Sequence, residues 1–240
     1  MRDGEGASST VCRAMGAGML YFVGTPIGNL EDVTLRAQRV LREVKAIGAE
    51  DTRRTRQLLS RFGIETPLFS FHRHNERART EEIVARLRAG EDIAIVSDAG
   101  MPLISDAGAV LAARLCAEGI AFTCVPGPSA VETALVVSGL GGGPFQFLGF
   151  VPREAKGRER LCEELRKARL TSVLFESPQR LVKTLGMLGK ELGERRIAVA
   201  RELTKVHEEV VRGTGLELAG DFGRGEGRGE CVIVGAACEG

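Results

Sequence analysis

Short apolar runs alternate with longer amphipathic stretches along most of this chain. The runs at 19–23, 46–49, 68–71, 93–96 and 122–125 are too short for helices and are bounded by turn residues, which predicts strands. Between them Ala37, Val40, Leu41 and Val44 recur at i, i+3, i+4, i+7. Ile83, Val84 and Leu87, and then Val110, Leu111 and Leu115, form shorter stripes of the same kind. Each stripe predicts a helix with one buried face. Alternating strands and helices predict a largely parallel sheet covered on both sides.

The rhythm breaks at 139–144, a Gly-Leu-Gly-Gly-Gly-Pro run that follows a helix-like segment at 129–138. Such a run reads as a linker. A second alternation follows, with strands expected at 146–149, 172–176, 197–201, 205–212 and 230–234 and helices at about 157–168 and 179–188. The close spacing of the last strands predicts a mixed sheet with an antiparallel part. The expected organisation is a flexible leader at 1–18, an α/β domain at 19–138, a linker at 139–145 and a second α/β domain at 146–240. A cleft between two such domains is a favoured place for a small ligand.

Composition narrows the function. Among 240 residues, 33 Lys and Arg stand against 32 Asp and Glu, a net charge of +1, so any contact with a polyanion must be local. Six cysteines show no C-x-x-C spacing, which points to a reducing, cytosolic compartment. No apolar run is long enough to span a bilayer, and the acidic start lacks a signal peptide's basic flank. With three histidines in all and no cysteine close to His72 or His74, no metal site is expected.

The candidate chemistry lies in loops that follow strands. Ser97-Asp98-Ala99-Gly100-Met101-Pro102 and Pro126-Gly127-Pro128-Ser129-Ala130 each turn sharply where a strand ends, and that rim is where open α/β sheets bind ligands. Asp98 fits either a ligand's ammonium or hydroxyl group or an Asx turn. Asp106 reads as the N-cap of the following helix, and Ser129 suits a cap as well as a contact. A third loop, Gly24-Thr25-Pro26-Ile27-Gly28-Asn29-Leu30, follows the first strand. The chain contains neither a P-loop nor a G-x-G-x-x-G fingerprint, which argues against nucleoside triphosphates and dinucleotides.

Charged groups recur at other strand ends. Glu50-Asp51-Thr52-Arg53-Arg54 suits a solvated surface, the usual fate of charge runs, or a phosphate-bearing substrate, and His72-Arg73-His74 suits a phosphate backbone better than a metal. In the second half, Glu176-Ser177-Pro178-Gln179-Arg180 and Arg201-Glu202-Leu203-Thr204-Lys205 repeat the arrangement, near a basic stretch that includes Arg153, Lys156 and Arg158. On a helix several of these cations would simply solvate the outer face.

These motifs, in this order from about residue 20 to 234, resemble the tetrapyrrole-methylase-fold enzymes, and most closely the 16S ribosomal RNA cytidine 2'-O-ribose methyltransferases. One motif alone is weak; seven in order are specific. The resemblance implies two αβα domains, S-adenosylmethionine held between them, a homodimer in the cytoplasm, no membrane, no metal, and 16S ribosomal RNA of the small subunit as partner. Position by position it implies cofactor contacts from Pro26, Asp98, Gly100, Met101, Ser129, Ala130, Leu203 and Gly229. Asp51, Arg53, Arg54, His72, Arg153, Lys156 and Arg201 would border the RNA, and Glu176, Glu202 and Lys205 are the candidate catalytic groups. Two departures stand out. Ala107 replaces a proline usual after the aspartate, and the chain ends soon after Val234, where many relatives continue with a lysine-rich helical extension.

The expected chemistry is methyl transfer from a sulfonium to a ribose hydroxyl, driven mainly by alignment, with a carboxylate or lysine taking the proton. Two rivals are a methyltransferase of the same fold acting on a small molecule and a noncatalytic RNA-binding module. The charged rims at 49–55 and 71–76 favour RNA.

Overall fold

The computed structural model describes residues 16–223 and 229–238. It divides into two compact units, one of Met1–Pro26 with Leu30–Pro128, the other of Ile27–Asn29 with Ser129–Gly240. The leader expected at 1–18 lies, up to residue 15, outside the described residues.

In the first unit β1 (Leu20–Val23), β2 (Ala46–Ala49), β3 (Leu68–Ser70), β4 (Ile93–Val96) and β5 (Phe122–Val125) form a sheet in the order β3-β2-β4-β1-β5. Every pairing is parallel. Side chains alternate between sheet faces, and both faces are covered. Val23, Ile47, Ala94 and Val96 pack with α1 (Leu35–Glu43) and α2 (Thr52–Arg61). Leu20, Phe22, Ile93 and Ile95 pack with α3 (Glu76–Arg88) and α4 (Ala109–Glu118). This two-sided burial explains why the central strands β1, β2 and β4 read as apolar runs, while the edge strands β3 and β5 admit Ser70 and Thr123. A fully buried residue such as Leu20 or Ile93 contributes roughly 2 kcal/mol to stability.

The second unit contains α5 (Ala130–Ser138), β6 (Phe145–Phe150), α6 (Ala155–Lys167), β7 (Thr171–Glu176), α7 (Pro178–Leu192), β8 (Ile197–Arg201), β9 (Glu209–Gly213), α8 (Gly215–Phe222) and β10 (Cys231–Gly235). Its sheet runs β6-β7-β10-β8-β9, with β6 parallel to β7 and the other pairs antiparallel. Leu174, Val199 and Ile233 face α6, α7 and α8. Val173, Ala198, Ala200 and Val232 face α5. Both units are therefore three-layered α/β structures, the first sheet parallel and the second mixed.

Five local expectations change. Segment 129–138 was expected to belong with the first half, yet Val131, Ala134 and Leu135 of α5 are buried against the second sheet. Gly139, at φ 70°, caps α5 in the left-handed region, and Arg212 Nε donates to the Ser138 carbonyl at 2.7 Å. The glycine run therefore ends a helix, and the units part at Pro128/Ser129. The strand expected from 205 starts at Glu209, because Glu202 and Thr204 turn the chain with φ of 52° and 65°. The helix α8 was not anticipated; a reciprocal capping box between Thr214 and Glu217 starts it. Finally, α4 is capped at Gly108, not at Asp106. Among the described residues no helix is long and apolar enough to cross a membrane.

Candidate active site

Three loops at the carboxyl end of the first sheet are tied together around Asp98. Thr25 and Gly100 exchange backbone hydrogen bonds at 2.9 and 3.0 Å, joining the loops after β1 and β4. Thr25 Oγ1 donates to the Ser97 carbonyl at 3.2 Å, and Ser97 Oγ to that of Gly100 at 3.1 Å. Asp98 Oδ1 accepts the amide of Asp51 at 2.8 Å, which adds the loop after β2. The β5 loop joins through glycine alone. A Cβ on Gly24 would lie 2.8 Å from the Gly127 nitrogen and 2.7 Å from Met101 Sδ, so the two loops meet backbone to backbone. No residue larger than glycine fits at position 24, between Met101 and Gly127.

Beyond Asp98 the chain follows an unusual path. Leu103 and Ser105 have φ of 70° and 68°, and Gly108 has 128°. Non-glycine residues in this region carry strain that the surroundings must hold in place. Two groups do so: the Arg73 guanidinium donates to the Ser105 carbonyl, and the buried Glu76 carboxylate accepts the amides of Gly108 and Val110, both at 2.9 Å, and of Leu111 at 3.4 Å. Glu76 sits on α3 yet caps α4, satisfying amides that a helix start leaves without partners.

The rim is acidic in balance. Burial first, and then the charge of Glu50, push the Asp106 carboxyl up to about 6 against the opposing pull of Arg73. Glu50 is raised by burial and then by Asp98, with Arg73 and His72 pulling the other way. Three carboxylates thus share one neighbourhood. Arg54, more than half exposed, is 4.0 Å from Asp98 Oδ2.

The loop after β8 in the second unit is similarly constrained. Lys205 Nζ donates to Glu202 Oε1 at 2.8 Å and lies 3.4 Å from Glu230 Oε2, and the Glu230 amide donates to Glu202 Oε1 at 3.0 Å. The hydrogen bond from Lys205 holds Glu202 below the usual carboxylate range. Burial pulls Lys205 down, but Glu202 and Glu230 outweigh it and the ammonium is raised on balance. Gly229, at φ 89°, could carry no Cβ, since that atom would lie 2.4 Å from the Glu202 side chain. Ile27–Asn29 pack on the same loop, where the Asn29 amide donates to Thr204 Oγ1 at 3.0 Å.

Glu176 is differently placed. Its side chain is wholly buried; Oε1 accepts the Ser177 amide at 2.7 Å and pairs with Arg180 at 2.5 Å, while Oε2 accepts Thr184 Oγ1 at 2.6 Å. Arg180 in turn donates to the Val151 carbonyl at 2.8 Å. This carboxylate anchors the start of α7 and the end of β6.

These loop motifs lie on a chain whose residues 19–219 match the model of the tetrapyrrole (corrin/porphyrin) methylases. The chain belongs to that family. Within it, the chain is 48% identical to a ribosomal RNA small subunit methyltransferase I of Thermotoga maritima, over 90% of this chain and 97% of the relative. It is 46% identical to the protein of the same name from Bacillus subtilis, over 90% of this chain and 75% of that one. Among solved structures, uroporphyrin-III-C-methyltransferase from Thermus thermophilus is 25% identical with a TM-score of 0.63, over 91% of this chain and 94% of the other. Diphthine synthase shares the fold, with a TM-score of 0.73 at 14% identity over 91% and 90%. The chain is accordingly a methyltransferase.

Sequence-derived residues fall into two classes in this enzyme. Asp98, Gly100 and Met101, with Pro26 buried behind them, stand on the first unit's rim. Leu203 is buried against the α5 face of the second sheet, and Ser129 precedes α5 with its hydroxyl turned to Glu132 rather than to a cap bond. Ala130 opens α5. Arg53, Arg153 and Lys156 are exposed. Others are occupied structurally. Asp51 caps α2 through the Arg53 amide at 2.8 Å, His72 Nδ1 accepts the Asn75 amide at 3.3 Å, and Arg201 is held by Glu209 at 2.6 Å over the Phe222 ring. In sequence Glu76 and Arg73 read as parts of a charged rim motif and not as the groups that hold the loop before α4. Only an acid opening α3 hinted at the first, because its partners lie 32 to 35 residues away.

Proposed function

We propose that this enzyme transfers a methyl group from S-adenosylmethionine to the ribose 2'-hydroxyl of a cytidine in 16S ribosomal RNA, acting on the small ribosomal subunit as a cytoplasmic homodimer. The observation that carries the reading is 48% identity along nearly the whole of a ribosomal RNA small subunit methyltransferase I. All seven loop motifs also fall within the family match at 19–219.

The residues present fit the donor. Bound, it supplies an electrophilic methyl carbon on a positively charged sulfur. A rim carrying Asp98 and Glu50 suits its positive charges, and the close packing of Gly24 on Gly127 and Met101 holds the β1, β4 and β5 loops together beside these carboxylates. Pro26, Gly100, Met101, Ser129, Ala130, Leu203 and Gly229 are the proposed further contacts.

Glu202 is ionised, partly exposed and fixed by Lys205, which supports it as acceptor of the hydroxyl proton. Its lowered proton affinity makes it a weak base, so alignment of hydroxyl and methyl group supplies much of the acceleration. Lys205, retaining its proton, orients Glu202 and steadies developing charge. Glu176, enclosed and fully hydrogen-bonded, acts by positioning α7 and Arg180. Arg53, Arg54, Arg153 and Lys156 bind phosphates, which makes RNA affinity fall with salt.

The test is transfer of labelled methyl groups to small ribosomal subunits from cells lacking the gene, with mapping of the modified nucleotide. Label on a cytidine ribose is expected; label on a porphyrin or on protein alone would overturn the reading.

A further inference from the structure

The strand β6 carries one residue too many. Phe147 pairs with Val173 of β7, but the next registered pair is Phe150 with Phe175, so three steps on β6 match two on β7. Gly149, at φ 70°, absorbs the extra residue as a bulge.

The bulge exchanges the two sides of the strand. Phe147 lies on the α5 face of the sheet and Leu148 on the opposite one. Uninterrupted alternation would send Phe150 to Leu148's side, into the core beneath α6 and α7. Instead Phe150 returns to the side of Phe147 and Phe175, and Val151, 2% exposed, enters that core. The Phe150 ring meets the Phe175 ring edge to face at 5.3 Å, and Phe175 meets Phe147 at 4.8 Å. Phe150 is nonetheless 58% exposed. The fold thus holds a large aromatic ring in solvent and puts an aliphatic residue in the core beside it.

Cations follow at once. Arg153 and Lys156 are exposed just beyond it, with Glu154 between them, and Arg158 donates to the Arg153 carbonyl. The backbone between ring and cations is pinned where Arg180 donates to the Val151 carbonyl. A braced aromatic face beside phosphate-binding cations is how proteins hold unpaired nucleotides: the base stacks and the backbone is neutralised.

We propose that Phe150 is a platform on which an unpaired base of the RNA substrate stacks, with Arg153 and Lys156 on the adjoining phosphates. The inference rests on the ribosomal RNA reading and adds to it a residue that positions the strand. Its partner is RNA; a second protein surface on the same ring is the competing outcome.

The test compares wild type with Phe150→Ala, Phe150→Trp and, as a control at the other end of β6, Phe145→Ala. Affinity for small subunits from cells lacking the gene is measured across a salt series, with S-adenosylmethionine affinity measured separately by calorimetry. Phe150→Ala is expected to weaken subunit binding roughly tenfold, the scale of one stacked base. Phe150→Trp and Phe145→Ala should remain within about twofold of wild type, since one keeps a stacking face and the other lies outside it. S-adenosylmethionine affinity and the salt slope should not change, because no phosphate contact is removed. Wild-type affinity in Phe150→Ala, or an altered oligomeric state in that variant, overturns the proposal. If wild type itself fails to methylate the subunits, the broader reading fails; if wild type methylates them and Phe150→Ala binds equally well, only the platform does.

Discussion

Asp98 Oδ1 accepts the amide of Asp51 at 2.8 Å, so the residue that best suits a ligand's positive charge also ties the β4 loop to the β2 loop. Its two oxygens have separable tasks. Asp98→Asn retains an acceptor for Asp51 while losing the charge, and Asp98→Ala loses both. Both variants should bind S-adenosylmethionine at least about tenfold more weakly, the scale of one charged hydrogen bond, and only Asp98→Ala should also melt earlier. Calorimetry and thermal denaturation separate the effects; unchanged cofactor affinity in both variants would remove Asp98 from the binding site.

Glu76 is expected to matter for stability more than for chemistry. The residue is 7% exposed, and its carboxylate takes three amides at the start of α4 and holds the loop that leads back to Asp98. Leaving those amides without a partner in a buried setting costs about 3 kcal/mol in Glu76→Ala. Glu76→Gln, which keeps one acceptor oxygen, should lose less. Urea denaturation reads the difference, and a loss under about 0.5 kcal/mol in the alanine variant, the range of ordinary surface substitutions, would contradict this role.

The Asp106 carboxyl gives the enzyme a pH signature. Its folded value of about 6 lies above the ordinary 3.8, so the folded protein holds this proton more tightly than the unfolded chain. Above pH 6 the buried charge destabilises the fold in full; as pH falls from 6 toward 4 that penalty disappears. Asp106→Asn should therefore raise the melting temperature at pH 7 to 8, with the gain vanishing near pH 4. A gain that is the same at every pH would mean that the side chain acts by shape rather than charge.

Lys205 is held in its charged form by Glu202 and Glu230. Lys205→Met should slow single-turnover methyl transfer by about a hundredfold, the lower range for groups assisting proton transfer. S-adenosylmethionine affinity should change little, and Lys205→Arg should recover part of the rate because it restores a cation near Glu202. Full activity in Lys205→Met would show that alignment alone suffices.

Much of this architecture is legible before folding is considered. Five short, mostly apolar runs and the i, i+3, i+4 stripes place the first sheet and its helices, because a parallel sheet covered on both faces leaves its central strands few polar positions. The loops that carry Asp98 and Gly127 were legible too, since a glycine or proline turn after such a run marks a strand's end, and the Glu202 loop showed as a charged strand end.

Side-chain partners were not legible, whether near in sequence or distant. Glu176 reads like a catalytic acid in its motif, yet Ser177, Arg180 and Thr184 close around it once α7 turns back over the strand. Asp106 reads like a helix cap, but Glu76 reaches across from α3 and takes those amides. The pattern of apolar residues by itself determined which segments become strands and helices, because burial periodicity is a local property of the chain. Tertiary structure alone decided which carboxylates are enclosed, which remain open to a ligand, and where Phe150 faces. Those outcomes depend on partners brought together only when the layers pack, and on one extra residue in β6 that reverses the strand's two sides.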